Sequence, residues 1–253
     1  MVEEQIPKYF LEIAYNGTAY HGWQIQDNAV SVQEKLNQAL SILLREEVET
    51  IGAGRTDSGV HAKQLFVHFS SKAKVLENKD RFVHSLNALM PFDISAKRLI
   101  EVAAEAHARF DATQRSYEYH VHFQKDPFLH EFSWQLRDKP DVEKMNIAAL
   151  DLLGRQDFSC FSKSNTQVFT NYCDIKRAEW LWEGDRLVFH ISADRFLRNM
   201  VRAIVGTLME IGLGKKPIEH IKEVIQSMDR SKAGTSVPAC GLYLTEVNYP
   251  YID

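Results

Sequence analysis

Apolar and polar positions alternate most strictly between residues 114 and 123, "QRSYEYHVHF". Tyr117, Tyr119, Val121 and Phe123 fall on one face of an extended chain, and Glu118, His120 and His122 on the other, which predicts a strand. Residues 9–14 also have strand composition and run into "YNGTAYHGWQIQ", where Asn16-Gly17 and Gly22 are turn signals. The period then changes. Ser31 with Glu34 three residues later forms a capping box, and Val32, Leu36, Leu40 and Leu43 recur on one helical face, so a helix starts there. A strand at 64–70 and a short helix at 79–89 follow. Past a loop region bracketed by Pro127 and Pro140, the pattern predicts a helix over 142–153, a strand over 187–192 and a long helix over 195–211. Gly212, Gly214 and Pro217 end that helix. A further helix carries Ile218, Ile221, Ile225 and Met228 on one side, and a last strand covers 241–247. Strands with helices that can cover one face give an α+β class.

Composition narrows the picture. The chain has 253 residues, 45% hydrophobic and 25% charged, as expected of a globular protein with a sizeable core. No apolar run is long enough to cross a bilayer, and "MVEEQIPKYF" is acidic where a secretory leader would be basic and then apolar. A cytoplasmic protein without a membrane partner is therefore expected. Cys160, Cys173 and Cys240 are too far apart for a disulfide framework or a CxxC motif, so they are expected to be reduced and structural. The net charge of −4 argues against coating nucleic acid through bulk positive charge. Any nucleic-acid site must be a local patch.

The candidate chemistry begins with residues 52–62, "GAGRTDSGVHA". Gly52, Gly54 and Gly59 allow unusual backbone angles and the close approach of a ligand. The loop lacks Walker A spacing, and "GLGKK" at 212–216 is only a helix stop, so no nucleotide cofactor is expected. Asp57 reads either as a turn residue bonding its own backbone or as a carboxylate kept ionised near Arg55, suited to act as nucleophile or base. Arg195, Arg198 and Arg202 are spaced to share one face of the predicted long helix, opposite Leu197, Val201, Ile204 and Leu208. That face is either a solvated charge stripe or a phosphate or carboxylate reader, since the guanidinium fork binds both bidentately. Gly206 extends it, at a point where another backbone could come close. Tyr117 and Tyr119 are either core or a platform for a nucleobase. His120 and His122 with Glu118 lack a third ligand at a recognisable spacing, so no metal is expected.

Read together, these segments resemble the tRNA pseudouridine synthase A (TruA) family. "GRTDSGVHA" closely resembles its catalytic motif, usually G-R-T-D-A-G-V-H-A, and "YNGTAYHGWQIQ" its N-terminal Y-D-G-T-x-F-x-G-W-Q-x-Q signature. "RSYEY" matches its R-x-Y-x-Y strand, "DFSCF" its D-F-S-x-F segment, and "FLRNMVRAIVGTLMEIG" its F-L-x-x-M-V-R-x-I-V-G-T-L helix. "AGTSVPACGLYLTEVNYP" resembles its C-terminal A-G-x-T-A-P-A-x-G-L-Y-L-x-x-V-x-Y-P. The departures are Asn16 for Asp, Tyr20 for Phe, Ser58 for Ala, Ser236-Val237 for Thr-Ala, and "NYCDI" at 171–175 for T-x-R-x-I. None touches the acid.

The resemblance implies isomerisation of uridine to pseudouridine: the base is detached from C1′, turned and rejoined through C5, without cofactor or energy source. It implies Asp57 as nucleophile, at C1′ or C6, with Arg202 positioning it. Arg55 would hold the flipped RNA, and Tyr117 would stack on the uracil and serve in proton transfer. Arg198 and Leu244 complete the implied substrate-binding set. The implied substrate is the anticodon arm of tRNA, at positions 38, 39 and 40, and the implied assembly is a homodimer. The implied fold is two ferredoxin-like (RRM-like) halves sharing a central, mostly antiparallel sheet with flanking helices. One half is 1–111, with the acid loop, and the other 112–253, with the Tyr strand and Arg helix. Composition alone would set the boundary between Pro127 and Pro140. Three alternatives remain at this point: a catalytically silent tRNA-binding protein or chaperone, a synthase acting on another RNA, and a metal-dependent hydrolase built on His61, His68, His120 and His122.

Overall fold

A computed structural model describes residues 6–163 and 169–252; the acidic stretch at 1–5, read above as unlike a leader, lies outside them. Two compact units make up the chain, one of Met1–Thr113 with Leu244–Asp253 and one of Gln114–Tyr243. Residues 127–140, where composition set a boundary, are inside the second unit. In chain order the first unit holds β1 (Lys8–Tyr15), α1 (Val32–Leu44), β2 (Ile51–Gly52), β3 (His61–Ser70), α2 (Lys79–Leu89) and β4 (Ile94–Val102). The second holds β5 (Gln114–His122), β6 (Trp134–Gln135), α3 (Val142–Ala149), β7 (Gly154–Asp157), β8 (Tyr172–Glu183), β9 (Arg186–Ala193), α4 (Met200–Gly212) and α5 (His220–Ser227). The last strand, β10 (Leu242–Asn248), returns to the first unit from Leu244 onward. No helix among the described residues is long and apolar enough to cross a membrane.

Strands in the first unit run β4-β1-β3-β10, with β2 beside β3, and β1 is antiparallel to both its neighbours. In the second unit the order is β5-β9-β8-β7, all antiparallel, with β6 added in parallel beside β5. The α+β class and the mostly antiparallel pairing thus agree with the expectation from the sequence. The first helix starts as its capping box requires: Ser31 Oγ accepts the Glu34 N–H at 3.2 Å, and Val32, Leu36 and Leu40 are buried. Leu43 is only half-buried, and Leu44 takes the inward position instead. In the last helix Ile221, Val224 and Ile225 are buried, whereas Met228 is exposed at a left-handed C-cap with φ 53°.

Aromatic rings fill the core of the first unit. Phe10 on β1 and Phe66 on β3 both meet the ring of Tyr249 edge-on, at 5.2 and 5.3 Å between centroids. In the second unit Trp180 on β8 packs against Phe189 on β9 at 4.9 Å. There α4 buries Met200, Ile204 and Leu208, and its Gly206 allows the close approach expected of it. A Cβ at Gly206 would stand 1.9 Å from the Thr235 carbonyl oxygen.

The arginine face requires correction. A helix over 195–211 would align Arg195, Arg198 and Arg202, but α4 begins only at Met200. Asn199 precedes it with φ 67°, a left-handed conformation that a continuing helix cannot contain, and its Nδ2 donates to Ser236 Oγ at 2.7 Å. Leu197, expected on the opposite helical face, also precedes the helix and is nevertheless buried. Of the three arginines only Arg202 is on the helix.

Candidate active site

Two pieces of chain build the loop that carries Asp57. The turn after β1, residues 16–24, lies along residues 53–61, and the two bond mainly through backbone. Thr56 is held twice: its carbonyl accepts the Trp23 N–H at 3.2 Å, and its Oγ1 is 2.8 Å from the Tyr15 hydroxyl in a buried pair. On the other side of Asp57 the Tyr20 carbonyl accepts from the Gly59 N–H at 3.2 Å and from Ser58 Oγ at 3.3 Å. Further along, the Gly17 N–H donates to His61 Nδ1 at 3.1 Å. Such proximity needs glycine in the first piece. A Cβ on Gly17 would fall 2.0 Å from the Val60 carbonyl oxygen, and one on Gly22, which has φ 94°, would fall 2.4 Å from that of Thr56.

Gly52 was expected to admit a ligand, but its open side is filled by the protein itself. A Cβ there would meet the indole of buried Trp23 at 2.8 Å. Gly54 has nothing within 4 Å of its would-be Cβ, and Gly59 turns the chain with φ 77°. Within this frame Thr56 and Val60 are buried, Asp57 is half-buried and Arg55 is exposed. The Asp57 carbonyl accepts the Val60 N–H at 3.2 Å in a tight turn. The backbone on either side of this half-buried residue is secured.

The other candidates occupy the second unit, apart from Leu244. Tyr117 on β5 is half-buried and meets Phe196 edge-on at 5.1 Å. Tyr119, the second tyrosine of that face, is wholly buried, and its hydroxyl donates to the Pro238 carbonyl at 2.8 Å. Burial raises its pKa well above the ordinary phenol value. It is core, and only Tyr117 remains accessible to a base. Arg202 is half-buried, and its Nε donates to the Val237 carbonyl at 2.8 Å, which fixes the guanidinium near the start of α4. Arg198 is exposed in the turn before that helix. Leu244 on β10, in the first unit, is 1% exposed.

Three of the four histidines of the hydrolase alternative are engaged otherwise. His61 Nδ1 accepts from Gly17, and His68 Nδ1 accepts the Ala108 N–H at 3.1 Å. His120 Nε2 is 2.9 Å from Glu118 Oε2, and His122 is buried. Among the described residues no group of three or more His, Cys, Asp or Glu side chains is arranged to hold a metal ion. His68 is nearly excluded from solvent, and burial, helped by His107 and Lys8 and opposed by Asp111, pushes its pKa down to about 4. Cys160 and Cys173 are free thiols and fully buried, which pushes both up to about 12.

Comparison with known proteins decides the family. A chain from Bacteroides fragilis named tRNA pseudouridine synthase A is 48% identical over 246 residues, 97% of this chain and 97% of its own. The chain belongs to the tRNA pseudouridine synthase A family. It is therefore an enzyme, a pseudouridine synthase of the isomerase class, and the recognition drawn from its motifs holds. Another tRNA pseudouridine synthase A, from Bacteroides thetaiotaomicron, is 52% identical over 96% of this chain and 91% of its own. One from Acetivibrio thermocellus is 41% identical over 94% and 98%. A family model described as tRNA pseudouridine synthase matches residues 148–250.

Two departures from the tRNA pseudouridine synthase A motifs have structural accounts. Asn16 Oδ1 accepts both the N–H and the hydroxyl of Thr18, at 3.0 and 2.7 Å, which forms the side-chain turn that an aspartate would form. Tyr20 keeps a buried ring, and its added hydroxyl donates to Asp93 Oδ1 at 2.5 Å. Sequence reasoning passed over Tyr15 and Trp23 as contributors to the site. Their signal was proximity to the glycines of the first turn, but their shared partner Thr56, 41 residues from Tyr15 and 33 from Trp23, is set by the fold alone.

Proposed function

We propose that this enzyme converts uridine to pseudouridine in tRNA, in the anticodon arm, with Asp57 as the nucleophile. The observation that carries the reading is the clamp on both flanks of Asp57: a carboxylate on a half-buried residue of an immobilised backbone suits attack on a base brought to it. No group is gained or lost in the reaction, since the glycosidic bond to N1 breaks and a bond from C1′ to C5 forms, while a proton leaves C5 and one is taken up at N1. Tyr117, half-exposed and edge-packed by Phe196, is suited to stack on the uracil. Arg202 is assigned the positioning of the carboxylate, and Arg55 and Arg198, both exposed, the holding of the RNA.

A base that must leave its stack costs a few kcal/mol, and arginine–phosphate contacts offset that. With a net charge of −4, those contacts must form a local patch rather than a basic surface. A homodimer in the cytoplasm is the finer form of the same reading. The test is incubation with an unmodified tRNA transcript followed by carbodiimide and primer-extension mapping. Wild type should introduce pseudouridine in the anticodon arm, and Asp57→Ala should lose roughly a thousand-fold or more of that activity while retaining tRNA binding. Turnover by Asp57→Ala near the wild-type rate would refute the assignment, and modification elsewhere in the tRNA would refute the target.

A further inference from the structure

The residue before Asp57 is fixed by more than backbone. Thr56 is 9% exposed, and its hydroxyl pairs with that of Tyr15, which is 5% exposed, at 2.8 Å. Tyr15 is the last residue of β1, and its backbone is held there by pairing with Ala62 of β3 and Ile94 of β4. A rigid strand end thus reaches across to the side chain next to the acid. The Thr56 carbonyl is already engaged by Trp23, and the two residues after Asp57 by Tyr20. Together these bonds leave few backbone torsions at position 57 free.

We propose that Tyr15 is a positioning residue for the acid: its hydroxyl, bonded to Thr56 Oγ1, sets the direction in which the Asp57 carboxylate points. The inference rests on the nucleophile assignment above. If the tyrosine hydroxyl is removed, the buried Thr56 hydroxyl must find another partner, and rotation of its side chain drags the adjoining backbone. Attack requires reacting atoms within about 3–3.5 Å and aligned, and a displacement of about 1 Å can lower the rate a hundred-fold. A smaller shift should fall between that limit and no effect. Binding of tRNA relies on other groups and should be spared.

The test measures single-turnover rate and tRNA affinity separately, well below the unfolding temperature. Tyr15→Phe and Thr56→Val each remove one hydroxyl with little change of shape, and each should lower the rate roughly ten-fold with affinity within about two-fold. Thr56→Ser keeps the hydroxyl and should restore a rate near wild type. The double variant should be no slower than either single one, because both remove the same bond. Wild-type rates in both single variants, or additive losses in the double, would overturn the proposal. So would a loss confined to affinity or to thermal stability. Asp57→Asn in the same assay separates the two levels: if it turns over normally, the nucleophile assignment fails; if it is inactive while Tyr15→Phe is not, only the positioning role fails.

Discussion

Gly206 offers a perturbation for which helix propensity and packing predict opposite signs. In an ordinary helix interior, Gly→Ala is worth about 1 kcal/mol of added stability. On α4 the new Cβ would lie 1.9 Å from the Thr235 carbonyl oxygen, and ordinary contact begins at 3.4 Å, so about 1.5 Å of separation must be found. The opposing segment is not free to retreat. Gly234, whose own Cβ position is 2.8 Å from the Gly206 carbonyl carbon, donates its N–H to Thr207 Oγ1 at 2.9 Å, and Thr207 donates on to Ala203. Overpacking of this kind costs about 1–3 kcal/mol, and loss of the Gly234 bond adds about 1. After the propensity gain is subtracted, Gly206→Ala should destabilise the protein by about 2 kcal/mol, a fall in Tm of roughly 4–8 °C. Since the same segment continues to Val237, which holds Arg202, turnover should fall as well. Urea and thermal unfolding monitored by circular dichroism provide the measurement. A midpoint equal to or above wild type would refute the packing argument and leave propensity as the governing effect.

Two further outcomes follow from groups already described. Arg198→Ala should weaken tRNA binding and reduce the slope of log affinity against log salt by about 1, read by filter binding over a salt series; an unchanged slope would return this exposed arginine to a solvated role. His68 is pushed down to about 4 by burial, while an unfolded chain takes up the proton near its ordinary 6.5, so the unfolded state binds more protons between these values. Stability should therefore fall as pH drops from 6.5 towards 4, and His68→Gln should flatten that part of the denaturation-versus-pH curve. A profile identical in the two proteins would show that His68 does not drive it.

What the sequence made legible, and what it hid, can be traced to backbone regularity. The alternation at 114–123 corresponds to β5, and the capping box at Ser31 to the start of α1, because each signal acts within a few residues. Four strands escaped, β4, β6, β7 and β8, and the two long ones, β4 and β8, are bulged. Cys173 and Ile175 point inward on odd positions of β8, the register shifts between Ile175 and Arg177, and Ala178 and Trp180 then point inward on even ones. In β4 the pairing with β1 shifts between Glu12 and Ile13, which similarly puts Ile94 and Ala96 out of phase with Leu99. A search for period two reads such segments as irregular. The start of α4 was misplaced for a related reason: residues 195–199 have helical composition, but one left-handed residue, Asn199, sets the boundary. At the site, Asp57 and Arg55 stood out by chemistry, whereas Tyr15 and Trp23 act through bonds to residues more than 30 positions away.

The return of the last strand to the first unit has a consequence for the order in which the protein is made. Strand β10 neighbours β3, its Val247 N–H donates to Gln64 Oε1 at 2.8 Å, and Tyr249 both fills the aromatic core and donates to the Ala108 carbonyl at 2.6 Å. A ribosome emits these residues only after all of Gln114–Tyr243. While the other unit is translated, the nascent acid-bearing unit thus waits with the β10 side of β3 paired only by the two residues of β2, and with part of its core unfilled. The unit that carries Asp57 is completed only once the strand from Leu244 onward has been made, so a product terminated before it carries Asp57 on an unfinished scaffold.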